Sequence, residues 1–194
     1  MPRSGKEARD RLRRAALELY AAQGYDGTTT AEIAATARVN HRTFFRHFRD
    51  KREVLFGGED DARETFKHDV VSARADLTPN QVLLHVFQQS AAALQEDAGS
   101  AIARLRIIAA NPSLRERDLA KGAMLTETLA SALRHRGVST EIATLIAAMG
   151  WAAFQQASTY WANDPSQTLG HHLRVAFRHL EEAALTFQPP VETG

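Results

Sequence analysis

The chain contains no cysteine, which excludes disulfides and thiolate metal sites and fits a reducing cytoplasm. Proline is scarce, six in 194 residues, and two of these (Pro189, Pro190) fall in the C-terminal tail. β-branched residues are few beside Ala, Leu, Arg and Glu, so helix is favoured almost everywhere and no strand is expected. The N-terminal stretch MPRSGKEARDRLRR has no apolar core of a secretory signal. The run from Ile142 to Trp161 approaches membrane-spanning length. Thr144, Gln155, Gln156, Ser158 and Thr159 interrupt it and Glu141 opens it, so it is expected to be a buried helix, with no membrane partner.

Catalytic signatures are missing too. There is no Gly-rich phosphate loop, nucleophile elbow or His/carboxylate cluster on one helical face, so an enzyme is not expected. The eight histidines show no ligand spacing: His171 and His172 are adjacent and point apart on a helix, and the rest are scattered. Neither a metal nor another cofactor is expected.

What the chain does carry is a charge asymmetry. Residues 1–52 hold twelve Lys/Arg against six Asp/Glu, a net of +6, which leaves −5 for the remainder of a chain whose total is +1. A basic head on an acidic body suits contact with a polyanion; a solvated charge run is the alternative.

Helix signals recur along the chain. A stripe of Leu12, Ala16 and Leu19 predicts a helix over 6–23, stopped by Gly24. Thr29 and Glu32 have capping-box spacing for a short helix carrying Ile33, Ala34 and Ala37. Asn40 caps a third, over 41–47, so the pair forms a helix-turn-helix candidate. A fourth is expected from Asp50 to about residue 74, weakened at Gly57–Gly58, where a bend is expected. Further starts fall at Thr78–Pro79, near Ala101, at Asn111–Pro112, at Ser139 and at Asp164–Pro165, the last running to about Phe187. The expected fold is all-α, with about nine helices.

The segment TTTAEIAATARVNHRTFFRHFRDK, residues 28–51, crowds three phenylalanines among basic residues. On a helix over 41–48, Phe44 and Phe48 share an inward face, while His41, Arg42, Phe45 and Arg46 project outward and Thr43 and His47 flank the edge. Such a rod fits a major groove of double-stranded DNA. The alternative is a purely structural helical hairpin. In the arm, Arg3, Lys6 and Arg9 either meet DNA or form a disordered basic tail.

Gly24-Tyr25, Thr28-Thr29, Ile33-Ala34, Val39, Thr43-Phe44, Phe48 and Lys51, in this spacing, resemble the DNA-binding region of the tetracycline repressor (TetR) family over residues 8–56. The resemblance implies a ligand-responsive transcriptional regulator, most simply a repressor that a small molecule releases from its operator. It implies a homodimer with an N-terminal three-helix DNA-binding domain (1–52), a C-terminal helical ligand-binding and dimerisation domain (53–188) and a tail (189–194). Carried over by position, Thr30, Thr43, His47 and Lys51 would contact phosphates, and His41, Arg42 and Phe45 would face bases, with Arg46 beside them. Arg38 stands where many members have Gly, so it must take the left-handed conformation or alter the turn. Phe45 replaces the usual Tyr and keeps only apolar contact. A regulator that binds DNA without a small-molecule ligand remains the alternative.

The C-terminal half carries weaker signals. Ile142, Ala143, Ile146, Ala147 and Gly150 on one helix, and Leu173, Ala176, Phe177, Leu180 and Ala184 on the next, either pack against a second copy or fill the core of one chain. Trp151, Phe154, Gln155, Tyr160, Trp161 and Phe87 either line an apolar ligand cavity or are ordinary core. Arg104 and Arg106 would pair with an anionic ligand group or with Asp/Glu. The stretch RLRIIAANPSLRER resembles that of acyl-CoA-responsive members of the family.

Overall fold

The computed structural model describes residues 3–186. Those residues form ten helices and no strand: α1 (Arg3–Gln23), α2 (Thr30–Thr36), α3 (His41–His47), α4 (Glu53–Phe56), α5 (Glu59–Ser72), α6 (Pro79–Gln95), α7 (Ala98–Ala110), α8 (Pro112–His135), α9 (Thr140–Asn163) and α10 (Leu169–Thr186). The tail over 189–194 and the expected helix end at Phe187 lie outside the described residues.

The all-α expectation holds, and there are ten helices because the fourth divides at its glycine pair. Gly57 takes an extended ψ of 140°, and Gly58 sits at φ +94°, a left-handed conformation that costs glycine little. The last helix starts later than Asp164–Pro165 suggests. Asp164 instead accepts the Ser166 amide in a tight turn, and the Thr168 hydroxyl accepts the His171 amide to open α10. Asp-Pro-Ser favours a turn as strongly as a helix start, so the signal is ambiguous.

The chain divides into two compact units, the boundaries falling within α5, between α6 and α7, and within α8. Unit 1 comprises Met1–Ala62 and Asp97–Lys121; unit 2 comprises Arg63–Glu96 and Gly122–Gly194.

Unit 1 is built around α1. Its buried face of Leu12, Ala15, Ala16 and Tyr20 packs with Ile33, Ala34, Phe44, Phe48, Val54, Leu55 and Phe56, and Ile108 and Leu114 join the same core. Asn111 accepts the Ser113 and Leu114 amides at the start of α8 and donates from Nδ2 to Asp26 Oδ2 at 3.2 Å. Arg104 Nε donates to the Leu55 carbonyl at 2.6 Å.

Unit 2 is a bundle in which α9 meets both α6 and α10. At Gly150 the side chains of α6 come close: a Cβ there would lie 2.7 Å from Leu83 Cδ1 and 3.5 Å from Phe87. Arg136, at the end of α8, donates to the carbonyls of Val70, Val71, Ala73 and Arg74 and so caps the end of α5. A cation among the last carbonyls of a helix satisfies bonds the helix cannot make itself and opposes its negative dipole end. Sequence alone gives no sign of this pairing. Among the described residues, no helix is long and apolar enough to cross a membrane.

Candidate nucleic-acid interface

The helix-turn-helix is fixed by caps read almost directly from sequence. The Thr29 hydroxyl accepts the Glu32 amide while Glu32 accepts the Thr29 amide at 2.7 Å, a complete capping box. The Thr29 hydroxyl also donates to Glu32 Oε2 at 2.7 Å, and this bond, followed by that from the Thr29 amide, holds the Glu32 carboxyl below the usual carboxylate range. Asn40 Oδ1 accepts the Thr43 amide at 2.7 Å and caps α3. Between the helices Arg38 adopts φ 54°, alone among the described non-glycine residues in being left-handed. The turn therefore keeps its geometry and Arg38 carries the strain.

With both ends fixed, α3 has two unlike faces. Phe44 and Phe48 are buried in the core of unit 1. His41, Arg42, Phe45 and Arg46 are exposed, and Thr43 and His47 are half-buried at the edges. Phe45 is 51% exposed, a cost in water that implies a partner for the ring. It is not loose, because its ring meets His41 at 4.9 Å and Phe44 at 5.4 Å, both edge-on. Asn40, Arg42, Thr43, Phe45 and Arg46 line a shallow concavity of about 450 Å³.

Several polar atoms on this face are already engaged. Thr30 Oγ1 lies 2.9 Å from His41 Nε2, which ties the start of α2 to the start of α3. The Thr43 hydroxyl donates to Asn40 Oδ1, leaving its lone pairs for a donor. Arg42 and Arg46 form no ion pair among the described residues.

Lys51 is placed differently from the phosphate contact the resemblance implies. Its Nζ donates to the carbonyls of Tyr25, at 2.8 Å, Asp26, at 3.2 Å, and Thr28, at 2.9 Å, and it sits 4.5 Å from the centre of the Tyr25 ring. All three ammonium protons are thereby taken. The Tyr20 hydroxyl in turn donates to the Lys51 carbonyl at 2.7 Å, and burial raises the Tyr20 pKa. Lys51 is a clamp on the turn between α1 and α2, a role that motif position could not distinguish from a phosphate contact.

The other site residues are dispersed. Phe87, Trp151 and Phe154 do meet, Trp151 stacking on Phe154 at 5.3 Å and Phe87 lying 5.0 Å from Phe154. Phe87 is fully buried and also touches Phe66 and Phe177, so it is core rather than cavity wall. Trp151, Phe154 and Gln155 are half-buried in unit 2, whereas Arg104 and Arg106 belong to unit 1. Of the residues read as either pairing with a second copy or filling the core of one chain, Gly150, Leu173 and Phe177 are buried within unit 2. The apolar positions of α9 serve two faces: Ala143, Ala147 and Gly150 turn inward, while Ile142 and Ile146 stay exposed and half-buried, and Leu180 of α10 is half-buried.

Sequence reasoning also missed a concavity of about 540 Å³ in unit 1, lined by α7 and the turn after α1, including Tyr20, Tyr25, Arg106 and Ile107. No pattern joins those distant segments. Among the described residues, no group of three or more His or acidic side chains is placed to hold a metal.

Residues 12–56 match the family of bacterial regulatory proteins described as the tetR family. The HTH-type transcriptional regulator TcmR of Streptomyces glaucescens is 33% identical over 115 residues, which is 56% of this chain and 51% of that protein. The match thus spans about half of that relative's length. Among solved structures, Thermus thermophilus FadR, a TetR-family transcriptional repressor in complex with lauroyl-CoA, is 25% identical; the match covers 96% of this chain and 100% of that one at a TM-score of 0.57. Bacillus subtilis FadR in complex with stearoyl-CoA is 19% identical, covering 88% and 96% at a TM-score of 0.59, and shares the fold.

Proposed function

We propose that the chain, whose residues 12–56 match the tetR family of bacterial regulatory proteins, is a ligand-responsive transcriptional regulator that binds operator DNA as a homodimer. The observation that carries this reading is α3, a capped rod with two buried phenyl rings and an exposed face of His41, Arg42, Phe45 and Arg46. The paired N–H donors of the Arg42 guanidinium match the acceptors O6 and N7 of guanine, and the Phe45 ring suits a thymine methyl group. Thr30, Arg46 and His47 flank that line and take phosphates, as does Thr43 when its hydroxyl turns from Asn40 Oδ1 to donate outward; such contacts position the helix without reading sequence.

A second copy is required to span two half-sites, and α9 offers the surface. Ile142 is 52% exposed, Leu145 61% and Tyr160 55%, on a helix whose opposite side is already packed. Two heads held by that surface would enter successive major grooves, roughly 34–36 Å apart.

The effector we propose is an acyl-CoA, and the regulator a repressor that this ligand releases. Support comes from the FadR structures, which hold lauroyl-CoA and stearoyl-CoA. A coupling of roughly 1–3 kcal/mol between ligand and DNA would serve. The test is to select a duplex from a random pool and then add lauroyl-CoA, stearoyl-CoA or free CoA. Release by the acylated forms alone supports the reading. Retention of DNA under all three favours regulation without this ligand class.

A further inference from the structure

Around the end of α3, cations from two helices gather. Arg9, on α1, lays its guanidinium over the Phe48 ring at 5.5 Å from the ring centre. Its Nη2 comes so near Gly57 that a Cβ there would lie 3.0 Å away. Thus held, Arg9 leaves its Nε buried with no hydrogen-bond partner. His47 Nε2 is also buried and without a partner. The charges acting on His47 are Arg46 of its own helix and Arg9 of α1. One turn further along α1, burial first and then Arg9 lower the Arg13 pKa, and the Asp10 carboxylate partly offsets them. Unpaired buried donors among like charges are costly unless an anion completes them.

We propose that Arg9, Arg46 and His47 form one anion site that takes a phosphodiester of duplex DNA together with a proton on His47. The proposal rests on the DNA-binding reading and adds a proton to it. In the free chain, burial first, then Arg46 and Arg9, hold the His47 pKa below its ordinary value. The imidazole is therefore neutral at neutral pH. Turning the half-buried His47 ring outward brings Nε2 to a phosphate oxygen and reverses the balance: the ring takes a proton from solvent and donates N–H⁺ to the oxygen. Binding that takes up a proton weakens as pH rises through the interval between the free and bound pKa values. Raising the His47 pKa by about one on binding changes the affinity about tenfold per site across that interval.

The test uses the full chain and a mixed-sequence duplex spanning two successive grooves, since phosphate contacts do not depend on sequence. At fixed ionic strength, affinity should fall about tenfold or more between about pH 6 and about pH 8. His47→Gln should bind with little pH dependence; His41→Gln, though weaker, should keep the slope. By NMR, the His47 pKa of the free chain should lie below the ordinary histidine value, rise on adding duplex, and rise in free Arg9→Ala. Binding with no pH slope, a slope that survives His47→Gln, or a His47 resonance unmoved by duplex overturns the proposal and leaves the function reading intact. Failure to bind duplex at any pH overturns both.

Discussion

At the scale of single residues, the face of α3 separates reading from holding. Arg42→Ala should lower discrimination at one base pair by about 1–3 kcal/mol, seen as relaxed preference in a selection from random DNA. Arg46→Ala should weaken all sequences alike and reduce the salt dependence. Equal, sequence-independent weakening by both would remove Arg42 from the reading role. Lys51 belongs to a different class. Lys51→Met leaves three carbonyls without their shared cation and should cost about 1–3 kcal/mol in urea unfolding. Its effect on the salt dependence of DNA binding should be small; a reduced salt slope with unchanged stability would restore it to the phosphate contacts. These residues also mark what the sequence could show. The inward and outward faces of α3 follow from spacing alone, because i and i+4 share a side of a helix. The partners of Lys51, Arg9 and Arg136 do not, because they arise where segments distant in sequence meet.

At the scale of elements, local chemistry was legible where a side chain bonds its own helix and blurred where it does not. Thr29 and Asn40 cap as their spacing predicts, and Arg38 takes the left-handed turn. The Asp-Pro start of α10 misled, since the same residues make a turn. Thr29→Ala should cost about 0.5–2 kcal/mol of stability, and a loss near zero would mean α2 is held by packing alone. Asp50 gives the acid response. Burial pushes its pKa up, but bonds from the Glu53 amide and from the Arg52 side chain and amide outweigh this and hold it below the ordinary value. Its contribution is complete above the unfolded carboxylate pKa and is lost as pH falls through the folded one. The stability advantage of the native chain over Asp50→Asn should therefore be present at neutral pH and vanish in strong acid. An advantage that grows in acid would contradict the assignment.

At the scale of the whole molecule, composition announced an all-helical chain with a basic head, and the helix-turn-helix motif made duplex DNA the expected partner. The C-terminal half was less readable because α9 is apolar on nearly every side. Its small inward residues, Ala143, Ala147 and Gly150, cannot be told by spacing from its outward ones, Ile142 and Leu145. The two faces respond differently to change. Gly150→Ala, whose Cβ would meet Leu83, should cost about 1–3 kcal/mol of stability. Leu145→Glu should leave the fold intact and shift sedimentation toward the monomer, with DNA affinity falling accordingly; an unchanged oligomeric state would take the dimer surface elsewhere.

Binding of duplex DNA by the native chain and by an Arg42→Ala/Arg46→Ala variant, followed as salt is raised, tests the central assignment most directly. The native chain should bind at low salt with an affinity that falls steeply and linearly on a log–log plot, and the variant should bind more weakly with a shallower slope. Absence of binding at low salt, or identical curves for the two, would contradict the claim that the exposed face of α3 meets DNA.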